Sequence, residues 1–176
     1  MPEPGGRPVL VRLAGIEPES IVDGPGLRYV VFTQGCPHHC PGCHNPHTHS
    51  PDGGIVRDIR DIFDEYGQNP LLAGMTFSGG EPFMQAAALS VLARLVHESG
   101  GDVVTYTGYS YEQLRRMDSD ESIRNLLEQT DLLIDGPYVE ALRDLDLAFC
   151  GSSNQRLLDR TARLALDRKS VPQYQC

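Results

Sequence analysis

The chain has 176 residues, 40% of them hydrophobic, which suits one folded domain spanning residues 1–176. Its 15 Lys and Arg against 24 Asp and Glu leave a net charge of −9, which argues against nucleic acid, whose phosphates call for a basic footprint. No apolar run approaches the about 20 residues of a membrane span. Met1 to Pro8 lack the apolar core of a signal peptide, and five cysteines, an odd number with three clustered, do not make a disulfide framework. A reduced, cytoplasmic protein is the expectation.

In chain order, residues 1–26 begin loosely and gain structure towards DGPG (Asp23 to Gly26), a strong turn signal. Leu27 to Thr33 form a nearly continuous β-branched and aromatic run, suited to a strand buried on both faces. A cysteine loop follows, and residues 46–54, rich in Pro, Gly and polar residues, read as loop. Ile55, Ile59, Ile62, Phe63 and Tyr66 fall at helical spacing between charged residues, and Gly67 and Pro70 end that helix. Short strands are expected at Gly74 to Ser78, Asp102 to Tyr106 and Leu132 to Ile134. Helices are expected at 85–98, 110–116 and 119–129, the last with Asp118 and Glu121 as a capping box. Residues 167–176 read as a polar, frayed tail.

Alternating strands and helices define a parallel α/β domain. The chain is short of the about 250 residues of a complete eight-fold barrel, so an incomplete, TIM-type barrel of parallel strands and helices, or an open sheet, is expected. Each motif of chemical interest follows a predicted strand: the cysteines, then SGGEP (Ser78 to Pro82), TGY (Thr107 to Tyr109) and DGPY (Asp135 to Tyr138). Ligands of parallel α/β folds bind at that edge.

Cys36, Cys40 and Cys43 stand in a C-x3-C-x2-C spacing. Three thiolates can turn onto one inorganic body, one short of the four that close a typical 4Fe–4S cluster or structural zinc site. Spacing alone leaves zinc open, with His38, His39, His44, His47 or His49 as fourth ligand. These histidines otherwise read as exposed loop residues, and the isolated Cys150 as a buried, small apolar side chain. In SGGEP, two glycines allow close backbone approach, and Glu81 offers a carboxylate to an ammonium group.

The cysteine spacing followed by GGEP resembles the radical S-adenosylmethionine (SAM) superfamily. DGPGLR (Asp23 to Arg28) and CxxCHNP (Cys40 to Pro46) resemble its glycyl-radical-enzyme activating enzymes. YTGY, LLIDGPYVEALRD and GSSNQR (Gly151 to Arg156) are similar to the branch that acts on an anaerobic ribonucleotide reductase. The likeness spans a core of about residues 20–160. It implies a 4Fe–4S cluster on Cys36, Cys40 and Cys43, with an open iron chelated by SAM. It implies that Gly79, Gly80 and Glu81 receive the SAM amino end, that Thr107 and Asp135 line the pocket, and that Asn154 reaches SAM or the partner. No catalytic side chain is implied beyond cluster and SAM. The implied partners are the large reductase subunit and flavodoxin or ferredoxin as electron donor. Some relatives carry an acid where Tyr106 stands, near a monovalent cation; Tyr106 cannot supply that charge, which argues against such a site here and leaves Asp135 as its one obvious acidic ligand.

Overall fold

The computed structural model describes residues 7–170. Seven strands form one mixed sheet: β1 (Leu10–Ser20), β2 (Arg28–Thr33), β3 (Ile55–Asp58), β4 (Gly74–Gly79), β5 (Asp102–Tyr106), β6 (Leu132–Asp135) and β7 (Arg156–Asp159). Their spatial order is β3-β1-β2-β4-β5-β6-β7. The central four, β2, β4, β5 and β6, are parallel. The expectation of an all-parallel sheet is corrected at both edges. There β1 runs antiparallel to β2 and β3, and β7 antiparallel to β6.

Among the described residues five α-helices accompany the strands: α1 (Ile59–Tyr66), α2 (Ala86–Glu98), α3 (Tyr111–Arg116), α4 (Glu121–Gln129) and α5 (Arg160–Ser170). The sheet face bearing Val11, Leu13, Tyr29, Val31, Met75, Phe77, Val103 and Leu133 packs in one apolar core with Ile62, Leu89, Leu92, Leu114 and Leu126 of the helices. Every second residue of the strands points there, as the pleat requires. No helix among the described residues is long and apolar enough to cross a membrane.

The opposite face carries Arg28, Val30, Thr76, Val104 and Ile134, all buried. The DGPG turn lies against it. A Cβ on Gly24, whose φ is +136°, would come within 3.2 Å of Val104, and the Thr76 hydroxyl donates to the Asp23 carbonyl at 2.8 Å. The fully buried Arg28 guanidinium is satisfied by the Met75 carbonyl at 2.7 Å, the Thr76 hydroxyl at 3.1 Å and the Asp102 carboxylate. A buried cation needs such partners. The terminal Arg of DGPGLR is thus part of the scaffold.

Three local expectations change. Ile55 to Asp58 are strand rather than helix: they pair with Leu10 to Leu13, and α1 starts after the N-cap Asp58, which accepts from the Arg60 amide at 3.0 Å. The N-cap of α4 is Asp120 rather than Asp118, while the capping box belongs to Ser110 and Gln113 at α3. Residues 167–170, expected as tail, form the last turn of α5, whose Arg163 is buried and donates to the Leu127 carbonyl at 2.7 Å. The remainder of that tail, with Cys176, lies outside the described residues.

Candidate iron–sulfur site

The carboxyl ends of β2, β4, β5 and β6 surround a cavity of about 410 Å³. Phe32, Ser78 and Tyr106 project into it, each two residues beyond a buried residue of the open sheet face. Its walls include Cys36, Cys40, Cys43, Gly79, Gly80, Thr107, Gly136 and Tyr138. The cysteine and TGY loops bring Cys36, Cys40, Cys43 and Thr107 to this cavity, whereas the SGGEP loop brings Gly79 and Gly80 without Glu81, and the DGPY loop brings Gly136 and Tyr138 without Asp135.

The cysteine loop is held from both sides. The Gly35 and Cys36 amides donate to the Thr48 and His49 carbonyls at 2.7 and 3.1 Å. Between the second and third cysteines, the Cys43 amide donates to the Cys40 carbonyl at 3.1 Å, a turn that needs Gly42 at φ +72°. The Cys36 thiol is pushed up by burial and by the nearby Glu81 charge, against the lowering pull of the His38 and His39 amides. The Asn45 amide approaches the Cys43 sulfur at 3.4 Å. Such N–H groups stabilise negative charge on sulfur.

SGGEP packs directly on this loop. The Gly80 amide donates to the Thr33 carbonyl and the Glu81 amide to the Gly35 carbonyl, both at 2.8 Å. A Cβ on Gly79 would strike the Thr33 amide at 2.7 Å, and one on Gly80 the Gly35 carbonyl at 2.3 Å. Close crossing of two strand ends therefore demands both glycines.

Glu81 sits behind this wall, fully buried. Its carboxylate accepts from the Phe83 amide at 3.0 Å, the Thr107 hydroxyl at 3.0 Å, the Gly108 amide at 2.9 Å and His38 Nε2 at 2.8 Å. Asp135 is likewise behind the wall. Its buried carboxylate accepts from the Tyr111 amide at 2.6 Å and from Arg156, whose Nε lies at 2.9 Å. Arg156 also forks onto Glu112 at 2.8 and 3.1 Å, holding that carboxyl at about 2. Asn154 donates to the Pro137 carbonyl at 2.8 Å, while its buried Oδ1 is unpartnered. Its neighbour Gln155 lines the cavity and braces the Gly151 amide at 2.8 Å.

Several cavity residues escaped the sequence reading. Asp23 is an acidic wall residue hidden in what reads as a turn motif. Cys150 is corrected from a buried apolar side chain to a half-buried thiol lining the cavity, raised by burial and by Asp135. His38 is corrected from an exposed loop residue to a partner of Glu81. Apolar periodicity could not flag these positions, because irregular loops carry them. Val22, Leu145, Leu147 and Phe149 complete the mouth.

Three half-buried free thiols line one cavity and, as donors, suit an iron–sulfur body, although among the described residues no three such side chains are already gathered to metal-binding distance. Known proteins agree. The 4Fe-4S single cluster domain family matches residues 22–158. The anaerobic ribonucleoside-triphosphate reductase-activating protein of Vibrio cholerae is 34% identical over 153 residues, covering 78% of this chain and 91% of that protein. Its counterpart from Escherichia coli K12 is 31% identical over 152 residues, with 78% and 92% covered. A pyruvate formate-lyase-activating enzyme from Listeria monocytogenes is 36% identical over 132 residues, 72% of this chain but 52% of its own length. The chain belongs to the 4Fe-4S single cluster domain family, in its glycyl-radical-enzyme activating group.

Proposed function

We propose that this protein activates an anaerobic ribonucleoside-triphosphate reductase by generating a glycyl radical on its large subunit. The observation that carries the reading is the convergence of Cys36, Cys40 and Cys43 with Gly79, Gly80 and Thr107 on one cavity. Cys36, Cys40 and Cys43 would hold the 4Fe–4S cluster, their three thiolates being one short of a full set of four. The chemistry supplied by cluster and SAM together is reductive cleavage of the sulfonium, which leads to removal of a hydrogen atom from glycine.

The chain's own residues bind and position. Gly79 and Gly80 bring backbone beside the SAM amino end, and Thr107 closes that wall. Glu81 and Asp135 serve from behind: one fixes Thr107 and Gly108, the other fixes the start of α3. Asn154, which lies outside the cavity lining and has a buried, unpartnered Oδ1, is the remaining candidate for contact with SAM or the partner. Val22, Leu145, Leu147 and Phe149 help to exclude water there.

The domain comprises residues 1–176 and works in the cytoplasm, with flavodoxin or ferredoxin as donor. The four parallel strands, helix-covered on one face, are the partial barrel of a radical SAM core. The test is anaerobic mixing of the reconstituted protein with SAM, a reductant and the large reductase subunit. A glycine-centred doublet by electron paramagnetic resonance and restored ribonucleotide reduction are expected. SAM cleavage with no doublet on a competent reductase would redirect the reading to another glycyl radical enzyme or a peptide. A colourless, zinc-loaded protein would overturn it.

A further inference from the structure

We infer that His38 is a positioning residue that locks the cluster-bearing loop to the SAM-binding strand ends through Glu81. The inference rests on the proposed use of the cavity and concerns how its two halves are kept in register. Cys36, Cys40 and Cys43 ride on the loop after β2; Gly79, Gly80 and Thr107 ride on the ends of β4 and β5. For an electron to pass between their ligands, the two groups must keep a fixed separation.

Backbone bonds join the β2 and β4 ends, Gly80 to Thr33 and Glu81 to Gly35, but they grip the loop only at its root. Beyond Cys36, the His38 side chain reaches across. Its Nε2 lies 2.8 Å from Glu81 Oε2 and, facing a carboxylate, is the donor. The same oxygen accepts from the Gly108 amide at 2.9 Å and lies 3.0 Å from the Thr107 hydroxyl. One buried carboxylate thus joins the cysteine loop, the start of the segment after β4 and the turn after β5.

Packing reinforces the bond. The His38 ring meets Tyr109 edge to face at 4.5 Å between centroids. It also occupies the space over Gly108, where a Cβ would lie 2.3 Å from His38 Cδ2. A side chain at 108 would therefore have to displace the ring of His38. The ring is 16% exposed, so the hydrogen bond is largely shielded from water.

Three variants test this: His38→Ala, His38→Gln and Gly108→Ala. The reconstituted proteins are assayed for iron content, for SAM affinity by titration, and for the change SAM causes in the resonance spectrum of the reduced cluster. His38→Ala is expected to keep its iron but to bind SAM about tenfold more weakly, the order set by one charge-assisted hydrogen bond. Its SAM-induced spectral change should shrink or broaden. His38→Gln keeps a donor at nearly the same reach and should restore both readouts. Gly108→Ala should reproduce the loss by expelling the ring, and should add nothing in the His38→Ala background.

Unchanged affinity and spectrum in His38→Ala would overturn the inference, as would equal loss in His38→Gln. Failure of the unaltered protein to bind SAM would instead strike the proposed function, so the two failures are told apart.

Discussion

The two faces of the sheet are built on opposite rules. The helix-covered face is mainly apolar, from Val31 through Phe77 and Val103 to Leu133, with Thr33, Thr105 and Asp135 as its buried polar exceptions near the carboxyl ends of the strands. The other face mixes Arg28, Thr76 and Tyr106 with Val30, Val104 and Ile134, and irregular segments cover it. On the first face, hydrophobic burial is the main source of stability, and directional bonds are few. On the second, Arg28 and Thr76 are buried with specific hydrogen-bond partners, and one of these, Asp23, also lines the cavity. Stability and chemistry are thereby separated across one layer of backbone, and substitutions on either face should report on different properties.

The sharpest separation comes from Cys36→Ala, Cys40→Ala and Cys43→Ala. Each should lose cluster and SAM cleavage altogether while the unfolding transition of the metal-free protein moves little. Cys150→Ser is the counterpart on the same cavity and should keep its iron. Iron and sulfide analysis after anaerobic reconstitution decides it, and a colourless Cys150→Ser protein would make that thiol a fourth ligand and close the open iron. On the apolar face, Phe77→Ala should cost about 3–5 kcal/mol of stability through lost burial and a residual cavity. Denaturant melts measure this, and the folded fraction should still take up iron in full.

Glu81→Ala lies at the boundary and should disturb both properties. Its four donors lose their acceptor, at about 1–3 kcal/mol of stability. SAM affinity should fall about tenfold or more, because Thr107 and Gly108 lose the carboxylate that fixes them. Titration finding SAM affinity intact would show that the walls hold without their buried carboxylate. The smallest effect belongs to Glu112→Gln. Arg156 holds the Glu112 carboxyl at about 2, below its ordinary 4.5, so the bridge contributes fully above about 4.5 and is lost as pH falls towards 2. Both side chains are more than a third exposed, so screening limits the effect to about 1 kcal/mol or less. Melts at pH 7 and pH 3 should show a smaller difference between variant and parent at the lower pH.

Much of this was legible because regular elements announce themselves. The parallel strands β2, β4, β5 and β6, with the helices between them, follow from apolar runs and periodicity. Their motif-bearing loops fall on one edge because of chain direction. The antiparallel strands were hidden for local reasons. In β1 the pairing with β2 shifts between Leu13 and Gly15 and again between Glu17 and Ser20, which breaks the two-residue alternation. In β3, Ile55 and Ile59 happen to stand four residues apart, so a strand reads as the first turn of α1. At the site, the cysteines and glycines carried their own signal through spacing. The burial of Glu81 and Asp135 did not, because a carboxylate facing a ligand and one holding a backbone turn look alike in sequence.

The sheet ends on β3 and β7, at opposite edges of its strand order. A closed ring of strands resists deformation, because widening it means breaking a ladder of hydrogen bonds. An open sheet behaves as a spring: a slight change of twist at each strand pair accumulates across it while every pairing survives. The span from the cysteine loop at β2 to Gly136 beyond β6 crosses three such pairings, β2–β4, β4–β5 and β5–β6. Any widening between these strand ends would be shared among three pairings, with no ladder of hydrogen bonds broken.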